Sequence, residues 1–364
     1  TNVHPTRASN FVTQASERKE GSFCLAEAMS PLPVGKLPPT LLSRILPSLD
    51  TYALNRVVVP PQIGEDAAVI DFGESYLIAK TDPITFATDE IGWYLVCVNG
   101  NDIATMGGVP KWLLVTLLLP ENTTTPTLVT HITDQIKTAC QSFQITLCGG
   151  HTEITYGLDR PIAIGQMLGE VPKDRLVRSA DARVGDDLIL TKGIGIEATS
   201  IIARERELEL KTHFSAPFIN SAKDYLSRLS ILKEAQIAVD TGGVRAMHDP
   251  TEGGIVTAVR ELATAAEVGA EVWINRLIVP DETRALCGFF DLDPLGVISS
   301  GALLIATEPS RSQPILEALT ANQIQANLIG KLLPPQEGLW LKKGTDRQPL
   351  PTFQTDEITK IFAG

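Results

Sequence analysis

The sequence has few cysteines, few aromatic residues and no long apolar run. Its five cysteines (Cys24, Cys97, Cys140, Cys148 and Cys287) are odd in number and form no CxxC pair, which argues against a disulfide framework or a zinc knuckle. Reduced thiols in a cytoplasmic protein are the expectation. No stretch of about 18 apolar residues occurs, so no membrane span is predicted. Residues 1–30 lack the apolar core of a secretory signal, and we expect an N-terminal extension there.

Several enzyme motifs and an excess of positive charge are also missing. No GxSxG, HExxH or GxxxxGK[ST] pattern occurs, so the sequence does not support a serine hydrolase, a zincin or a P-loop enzyme. The 31 Lys and Arg residues against 43 Asp and Glu residues give a net charge of -12. This charge disfavours binding to nucleic acids and anionic membranes. A polyanionic substrate would therefore need metal ions as mediators.

The chain is long enough for more than one hydrophobic core. At 364 residues, 43% of them hydrophobic, it exceeds the usual size of a single domain. A turn-forming cluster at 169–174 separates two regions of apolar periodicity, and the second region begins with a buried strand predicted over 187–191. We therefore predict an α+β (mixed α/β) protein with an N-terminal domain over 31–172, a C-terminal domain over 173–345 and a strap over 346–364.

Three aspartates stand where predicted elements begin, end or are interrupted. Asp66 precedes a strand at 67–70 and Asp82 follows a strand at 76–80. Asp102, with Asn99 and Asn101, interrupts an amphipathic helix over 90–106, and such polar residues need a ligand or a buried network as partner. The two strands read as a hairpin, which brings Asp66 and Asp82 to the same edge. Three converging acids repel one another unless a hard cation lies between them. The sequence predicts a magnesium site at Asp66, Asp82 and Asp102; the alternatives are a turn former at Asp66 and a helix N-cap at Asp82.

A pair of glycines follows the strand predicted at 145–147. Gly149 and Gly150 leave backbone N–H groups free to approach an anion, as in phosphate-binding loops. A second glycine pattern, GxGxxA at 193–198, resembles a dinucleotide-binding turn. The charged, helical segment at 203–211 stands where that fold needs a second strand, so we reject the dinucleotide interpretation.

The segment Asp249–Gly254 precedes a helix predicted over 255–266. The positive end of that helix favours an anion, and Asp249, Thr251, Gly253 and Gly254 are candidate substrate contacts. The alternative is that Asp249 and Thr251 only cap the helix.

Two lysines and a histidine complete the candidate catalytic set. Lys36 and Lys80 are cations that would steady a transferred phosphoryl group. His248 is a candidate proton carrier, with a hydrogen-bonded structural role as the alternative. With Asp82, these are the residues to which we assign catalysis.

The motifs around Asp66, Asp82 and Asp102 resemble the superfamily of aminoimidazole ribonucleotide (AIR) synthase (PurM), thiamine monophosphate kinase, selenophosphate synthetase and the hydrogenase maturation protein HypE. The resemblance covers about residues 31–344 and is strongest to the HypE-like branch. It implies a two-domain PurM-like fold with an N-terminal ATP-binding domain, Mg-ATP as cofactor and a homodimer formed through the N-terminal domains. It also implies nucleotide contacts from the Gly35–Lys36 pair.

The resemblance extends to the glycine pair after the predicted strand. Relatives carry Gly-Gly followed by an acid in several branches, whereas this chain has His151, followed by Thr152 and Glu153. The implied nucleotide-binding segment is therefore Gly149, Gly150, His151, Thr152 and Glu153, with Glu153 as a possible replacement ligand.

The implied reaction is phosphorylation of an amide or carbonyl oxygen by ATP. HypE does this to a carbamoylated cysteine at its own C-terminus, and this sequence has no cysteine after Cys287, so we expect a separate acceptor, a small molecule or a protein. Two alternatives remain: a small-molecule kinase like thiamine monophosphate kinase, and an ATP-binding maturation or sensor protein that does not turn ATP over.

Overall fold

The structure is a computed structural model that describes residues 32, 34–46 and 56–362. The predicted extension over 1–30 lies outside these residues. Two mixed sheets with flanking helices form the described chain, as expected for the predicted mixed α/β fold. Across residues 32, 34–46 and 56–362, no helix combines the length and apolar character needed to cross a bilayer.

The first sheet is built from the N-terminal half of the chain. Its strands are β1 (Val57–Val59), β2 (Ala68–Asp71), β3 (Ser75–Ile84), β4 (Val109–Pro120), β5 (Thr146–Thr155) and β6 (Ile162–Pro172), and its helices are α1 (Pro39–Ile45), α2 (Ile91–Thr105) and α3 (Pro126–Phe143). The strand order is β1-β2-β3-β6-β4-β5. β4 and β5 are parallel and are connected through α3, while the other neighbours are antiparallel.

The second sheet begins after a short connection. Its strands are β7 (Asp187–Thr191), β8 (Val244–His248), β9 (Gly269–Trp273), β10 (Leu304–Thr307), β11 (Ala326–Leu333), β12 (Leu339–Lys343) and β13 (Asp346–Pro349). Its helices are α4 (Ile196–Glu205), α5 (Glu207–Leu210), α6 (Ala216–Lys223), α7 (Leu232–Thr241), α8 (Gly254–Ala265), α9 (Asp281–Phe289) and α10 (Pro309–Ala321). The order is β13-β12-β9-β11-β7-β10-β8. The predicted domain boundary falls between the end of β6 and the start of β7.

β3 is longer than the sequence predicts. It pairs with β6 along its whole length, from Ser75 opposite Pro172 to Ile84 opposite Ala163, and this pairing extends the strand past Lys80. Asp82 therefore lies inside β3 rather than after it, and the helix-cap alternative for Asp82 is wrong. Because side chains two positions apart share a face, Lys80 and Asp82 lie side by side.

α2 is an almost completely buried helix that nevertheless contains polar residues. The Asn99 side-chain amide donates to the backbone oxygens of Leu95 at 2.9 Å and Asp82 at 3.3 Å. Asn101 donates to Leu229 O at 2.9 Å and accepts from Ile231 N at 3.0 Å. These bonds tie α2 to β3 and to the C-terminal half, so the expected buried network is present.

β5 is a continuous edge strand, whereas the sequence predicts a strand over 145–147 followed by a phosphate-binding loop at Gly149 and Gly150. It runs through the glycine pair because it pairs with β4 from Trp112 opposite Thr146 to Pro120 opposite Thr155. A Cβ atom on Gly150 would lie 1.8 Å from Val115 O, and the φ angle of Gly150 is +150°. Glycine is required there for close approach of the two strands, so the loop prediction is wrong for this segment.

The C-terminal segment returns to the body of the protein, as the predicted strap does. A 3-10 helix, Glu357–Ile361, buries Ile358 and Ile361 in the core that includes α2. The Phe362 ring stacks on Phe86 with centroids 5.9 Å apart. The strap therefore lies next to the loop that follows β3.

Candidate functional site

A cavity of about 450 Å³ is lined by residues from both halves of the chain. The N-terminal half contributes residues 34–36, the end of β3 with the loop after it, and α2. The C-terminal half contributes the start of α4, the segment from His248 to Glu252, and the loop that contains Ser300. Side chains that are far apart in the sequence can therefore act on one ligand here.

Three buried aspartates converge in this cavity. Asp66, Asp102 and Asp249 each place a carboxylate oxygen within 4.8 Å of the other two, and they are 9%, 2% and 1% exposed. Asp66 Oδ2 and Asp249 Oδ2 accept no hydrogen bond from any described residue. Sequence reasoning placed Asp66 and Asp102 in the metal site together with Asp82; in the structure Asp249, which we had assigned to substrate, is the third member of the group.

The donor set fits a hard divalent cation. It consists of carboxylate oxygens, which magnesium prefers, and buried carboxylate oxygens without partners are costly unless a counterion compensates them. Burial, together with neighbouring Asp66, raises the pKa of Asp249 to about 7. Burial also raises the pKa of Asp102, although the Lys80 ammonium opposes that rise.

Lys80 lies between two of the predicted acids. Its Nζ atom is 3.2 Å from Asp102 Oδ2 and 3.6 Å from Asp82 Oδ2. Burial favours the neutral amine, but Asp102 and Asp82 outweigh it and raise the pKa of Lys80 above its usual value. Lys80 is therefore a fixed positive charge at the cavity wall, held by one carboxylate on β3 and one on α2.

His248 is enclosed between two carboxylates. Its Nδ1 atom is 2.7 Å from Asp66 Oδ1, and its Nε2 atom is 3.0 Å from Glu261 Oε2. Burial opposes the charged ring, yet Asp66 and Glu261 together raise the pKa of His248 well above its usual value. Since both ring nitrogens face acids, the geometry favours a structural role, in which His248 holds Asp66 in place, and disfavours the predicted role as a proton carrier.

Lys36, from the N-terminal half of the chain, contacts Thr251 in the segment that precedes α8. Its Nζ atom donates to Thr251 Oγ1 at 2.9 Å and lies 3.6 Å from Glu261 Oε1. Gly35 and Lys36 both line the cavity. The predicted Gly35–Lys36 pair and the predicted Thr251 contact are thus brought together.

The segment Asp249–Gly254 does not end in a side-chain cap. α8 begins at Gly254, and its N-cap is Gly253, which has a φ of +80° and makes no side-chain cap hydrogen bond. The cap alternative for Asp249 and Thr251 is therefore wrong. Instead, Gly253 N donates to Asp356 Oδ2 of the strap at 2.6 Å, and this bond holds the Asp249–Gly254 segment in place.

The predicted nucleotide-binding segment on β5 lies elsewhere. Gly149, Gly150, His151 and Thr152 line a second cavity of about 240 Å³ beside α3. β5 is three strand positions from β3, or about 14 Å at the usual spacing. His151 Nε2 is 3.2 Å from Glu153 Oε2 in solvent. Within one chain, these residues and the buried acids do not meet.

Sequence reasoning missed three polar residues of the site: Glu261, Asp356 and Glu197. Glu261 braces His248 and Lys36, Asp356 anchors the Gly253 backbone, and Glu197 lines the cavity. The first turn of α4 holds Glu197 directly after the glycine-rich turn, which was the available signal for that residue. For Asp356 the local role is to cap the 3-10 helix by accepting from Ile358 N at 2.8 Å, and nothing local indicates its second bond, to Gly253, which is 103 positions away.

Comparison with known proteins gives the family context of this geometry. The model described as AIR synthase related protein, N-terminal domain, matches residues 64–171, and the one described as AIR synthase related protein, C-terminal domain, matches 183–340. A putative hydrogenase expression/formation protein of Methanocaldococcus jannaschii is 24% identical over 304 residues, which cover 82% of this chain and 88% of that protein.

Solved structures share the fold. The crystal structure of hydrogenase maturation protein HypE in complex with ATP has a TM-score of 0.67 at 19% identity, covering 93% of this chain and 97% of that one. The structure of AaThiL complexed with AMPPCP and TMP also has a TM-score of 0.67, at 20% identity, and covers 84% of this chain and 94% of that one. Both likenesses concern the arrangement of sheets and helices.

Proposed function

The chain belongs to the AIR synthase related protein family, and from that premise we propose that it binds Mg-ATP and transfers the γ-phosphoryl group to an oxygen of an acceptor. The observation that carries the proposal is the convergence of Asp66, Asp102 and Asp249 in one cavity with Lys80. The ATP complex of a protein with the same fold supports it.

Each charged residue has a defined part in this proposal. Asp66, Asp102 and Asp249 would hold the magnesium, which neutralises phosphate oxygens when bound. Lys80 presents a permanent ammonium group to the transferred phosphoryl group. Lys36, whose Nζ atom donates to Thr251 Oγ1, places a second ammonium group at the cavity wall.

The transfer itself needs positioning more than covalent help from the protein. The acceptor oxygen forms a bond to the γ-phosphorus while the bond from that phosphorus to the β–γ bridging oxygen breaks, and ADP leaves with the bridging oxygen. An amide or carbonyl oxygen phosphorylated in this way becomes a leaving group, so later loss of phosphate would remove one oxygen from the acceptor.

Magnesium dependence of ATP binding tests the proposal directly. We expect calorimetric ATP affinity to be at least about tenfold higher in excess magnesium than in excess chelator, because the buried carboxylates repel an uncompensated triphosphate. Equal affinity under both conditions would contradict the assignment of the acids.

Product analysis separates the proposed reaction from its alternatives. A kinase leaves a stable phosphorylated acceptor, whereas activation for dehydration or cyclisation releases free phosphate. A sensor binds Mg-ATP without turnover. Phosphorus NMR of reactions containing candidate carbonyl and hydroxyl acceptors distinguishes these outcomes.

A homodimer formed through β5 is part of the same proposal. β5 is an exposed ten-residue edge strand, and Leu147 and Ile154 on it and Tyr156 just after it are 43%, 63% and 84% exposed. Long apolar edges are ready to pair with another strand. Sedimentation should show a dimer, and Ile154→Asp should shift the protein towards monomers; a wild-type monomer at all concentrations would refute this part alone.

A further inference from the structure

Glu261 is an acid of α8 that contacts residues of the cavity wall from outside the cavity. Among the described residues, it neither lines the cavity nor belongs to the group formed by Asp66, Asp102 and Asp249. Its side chain is nevertheless only 20% exposed. A carboxylate rarely gives up most of its hydration without compensating partners, so the partners of Glu261 indicate its role.

Both carboxylate oxygens of Glu261 face a residue that lines the cavity. Oε2 is 3.0 Å from His248 Nε2, and Oε1 is 3.6 Å from Lys36 Nζ. The other ring nitrogen of His248, Nδ1, is 2.7 Å from Asp66 Oδ1. Glu261, His248 and Asp66 therefore form a continuous series of contacts that runs from α8 to the proposed magnesium site.

The histidine ring occupies one oxygen of Asp66 and leaves the other available. Asp66 Oδ1 faces the ring, whereas Asp66 Oδ2 is buried and accepts no hydrogen bond from a described residue. An imidazole ring that is held at one nitrogen presents the other in a fixed direction, and in this way outer partners orient the ligands of a metal. The orientation of the Asp66 carboxylate therefore depends on His248, and that of His248 depends on Glu261.

The backbone beside this aspartate is held by other contacts. The Glu65 carboxylate accepts from Ser179 N at 3.2 Å and from Ala180 N at 3.1 Å. Gly64 packs so closely on α8 that a Cβ atom on it would lie 2.4 Å from Glu261 O, a backbone atom. Because none of these contacts uses the Glu261 side chain, its removal should leave the backbone in place and release only the histidine ring.

We propose that Glu261 is a positioning residue of the magnesium site: it holds His248, and His248 holds Asp66 in the orientation that binds the cation. Lys36, at the other carboxylate oxygen, holds Glu261 in turn. The inference rests on the proposed function in taking Asp66 as a ligand of the cation. It goes beyond that function because the affinity for the cation then depends on a side chain outside the cavity.

Binding of Mn²⁺ alone tests the role of Glu261. Mn²⁺ prefers the same oxygen ligands as magnesium, and its free concentration is measured from its EPR signal without nucleotide and without turnover. Glu261→Ala should weaken Mn²⁺ binding at least about tenfold, as the loss of an outer partner of a metal ligand usually does. Glu261→Gln retains an acceptor for the ring and should lose less, about three- to tenfold.

Glu267→Gln is the matched control for the change in charge. Glu267 is exposed and follows the C-cap of α8, so its replacement removes a charge that water and salt already screen and should leave Mn²⁺ affinity unchanged. Urea unfolding of the same preparations reports their stability. If Glu261→Ala lowered the free energy of unfolding but left the Mn²⁺ affinity of the folded protein unchanged, Glu261 would be purely structural and the inference would be overturned.

A double variant tests whether Glu261 acts through His248. His248→Leu removes both hydrogen-bonding nitrogens of the ring. In that background Glu261→Ala should change Mn²⁺ affinity by less than about threefold, because no ring remains for it to hold. An undiminished tenfold loss in that background would overturn the route through His248.

Mg-ATP affinity of the wild type separates this inference from the proposed function. A wild type that binds neither Mn²⁺ nor Mg-ATP would overturn the proposed function and this inference with it. A wild type that binds Mg-ATP but no free Mn²⁺, or that binds Mn²⁺ as tightly as Glu261→Ala does, would overturn the inference alone. If Glu261→Ala does not fold, Glu261→Gln is compared with Glu267→Gln, and equal Mn²⁺ affinities of these two variants would overturn the inference.

Discussion

The acid-lined cavity and the edge strand β5 both combine glycines with charged residues, but they differ in their surroundings. In the cavity, Asp66, Asp102 and Asp249 are buried and converge. On β5, His151 and Glu153 face solvent and pair with each other at 3.2 Å. Buried charge is costly without compensation, whereas exposed charge is screened by water and salt. The ion binding that we propose belongs to the cavity, whereas the glycines of β5 permit close pairing with β4.

The largest expected effect lies on β5. Gly150→Ala should lower the free energy of unfolding by at least about 4 kcal/mol, because its Cβ atom would collide with the Val115 backbone and force β4 and β5 apart. Gly149→Ala is the matched control: it meets no atom within 4 Å and should cost about 1–2 kcal/mol through its positive φ.

Urea unfolding of the two alanine variants measures this difference. If Gly150→Ala were as stable as Gly149→Ala, the glycine pair would not be explained by strand packing. An anion-binding role for the backbone of β5 would then regain support.

The next effect concerns the cavity. Asp102→Asn keeps the volume of the side chain but removes a carboxylate from the proposed magnesium site, and we expect Mg-ATP affinity to fall at least about 100-fold. The variant should fold, because the uncharged amide avoids the burial cost of Asp102 and Lys80 retains Asp82 at 3.6 Å.

Calorimetry in excess magnesium gives the measurement, with Asp134→Asn on the exposed face of α3 as the control. If the Mg-ATP affinity of Asp102→Asn stayed within about threefold of wild type, the magnesium site proposed in the cavity would be refuted. β5 would then be the remaining candidate for nucleotide binding.

The sequence predicted those parts of the cavity that are encoded locally. The hydrophobic repeat of α2 identified the helix, and its polar interruptions identified Asn99, Asn101 and Asp102 as residues that need partners. β7 was predicted with its observed bounds, Asp187–Thr191, because a buried apolar run between turn residues is unambiguous.

The errors come from long-range pairing. Asp82 belongs to β3 because β6 extends that strand, and the glycine pair belongs to β5 because β4 lies beside it. Asp249 joins the acids through its position at the end of β8, which is fixed by pairing with β10. Neither the partner strand nor its register can be determined from a short segment, so these contacts were not predictable locally.

The smallest expected effect, for each step of one pH unit, is a change in the free energy of unfolding. It distinguishes a buried glutamate from an exposed one. The pKa of Glu197 is raised by burial to about 8, so the folded protein binds a proton that the unfolded chain releases near its ordinary value. The acids that face it are Glu252, Asp356 and Asp249, and the α2 side chains Tyr94 and Cys97 are kept neutral because burial raises the pKa of each. The wild type therefore loses stability as pH rises from about 5 to about 8, by about 1.4 kcal/mol per pH unit from this group.

Glu197→Gln removes that titration. The stability difference between Glu197→Gln and wild type should therefore move in favour of the variant as pH rises through this window, and level off above about pH 8. Glu153→Gln on β5 is the exposed counterpart: Thr155 and His151 lower the pKa of Glu153, so its contribution is lost only at acid pH. Urea unfolding between about pH 5 and pH 9 should give parallel curves for Glu153→Gln and wild type and a crossing or converging curve for Glu197→Gln. Parallel curves for both variants would mean that Glu197 is ionised in the folded protein.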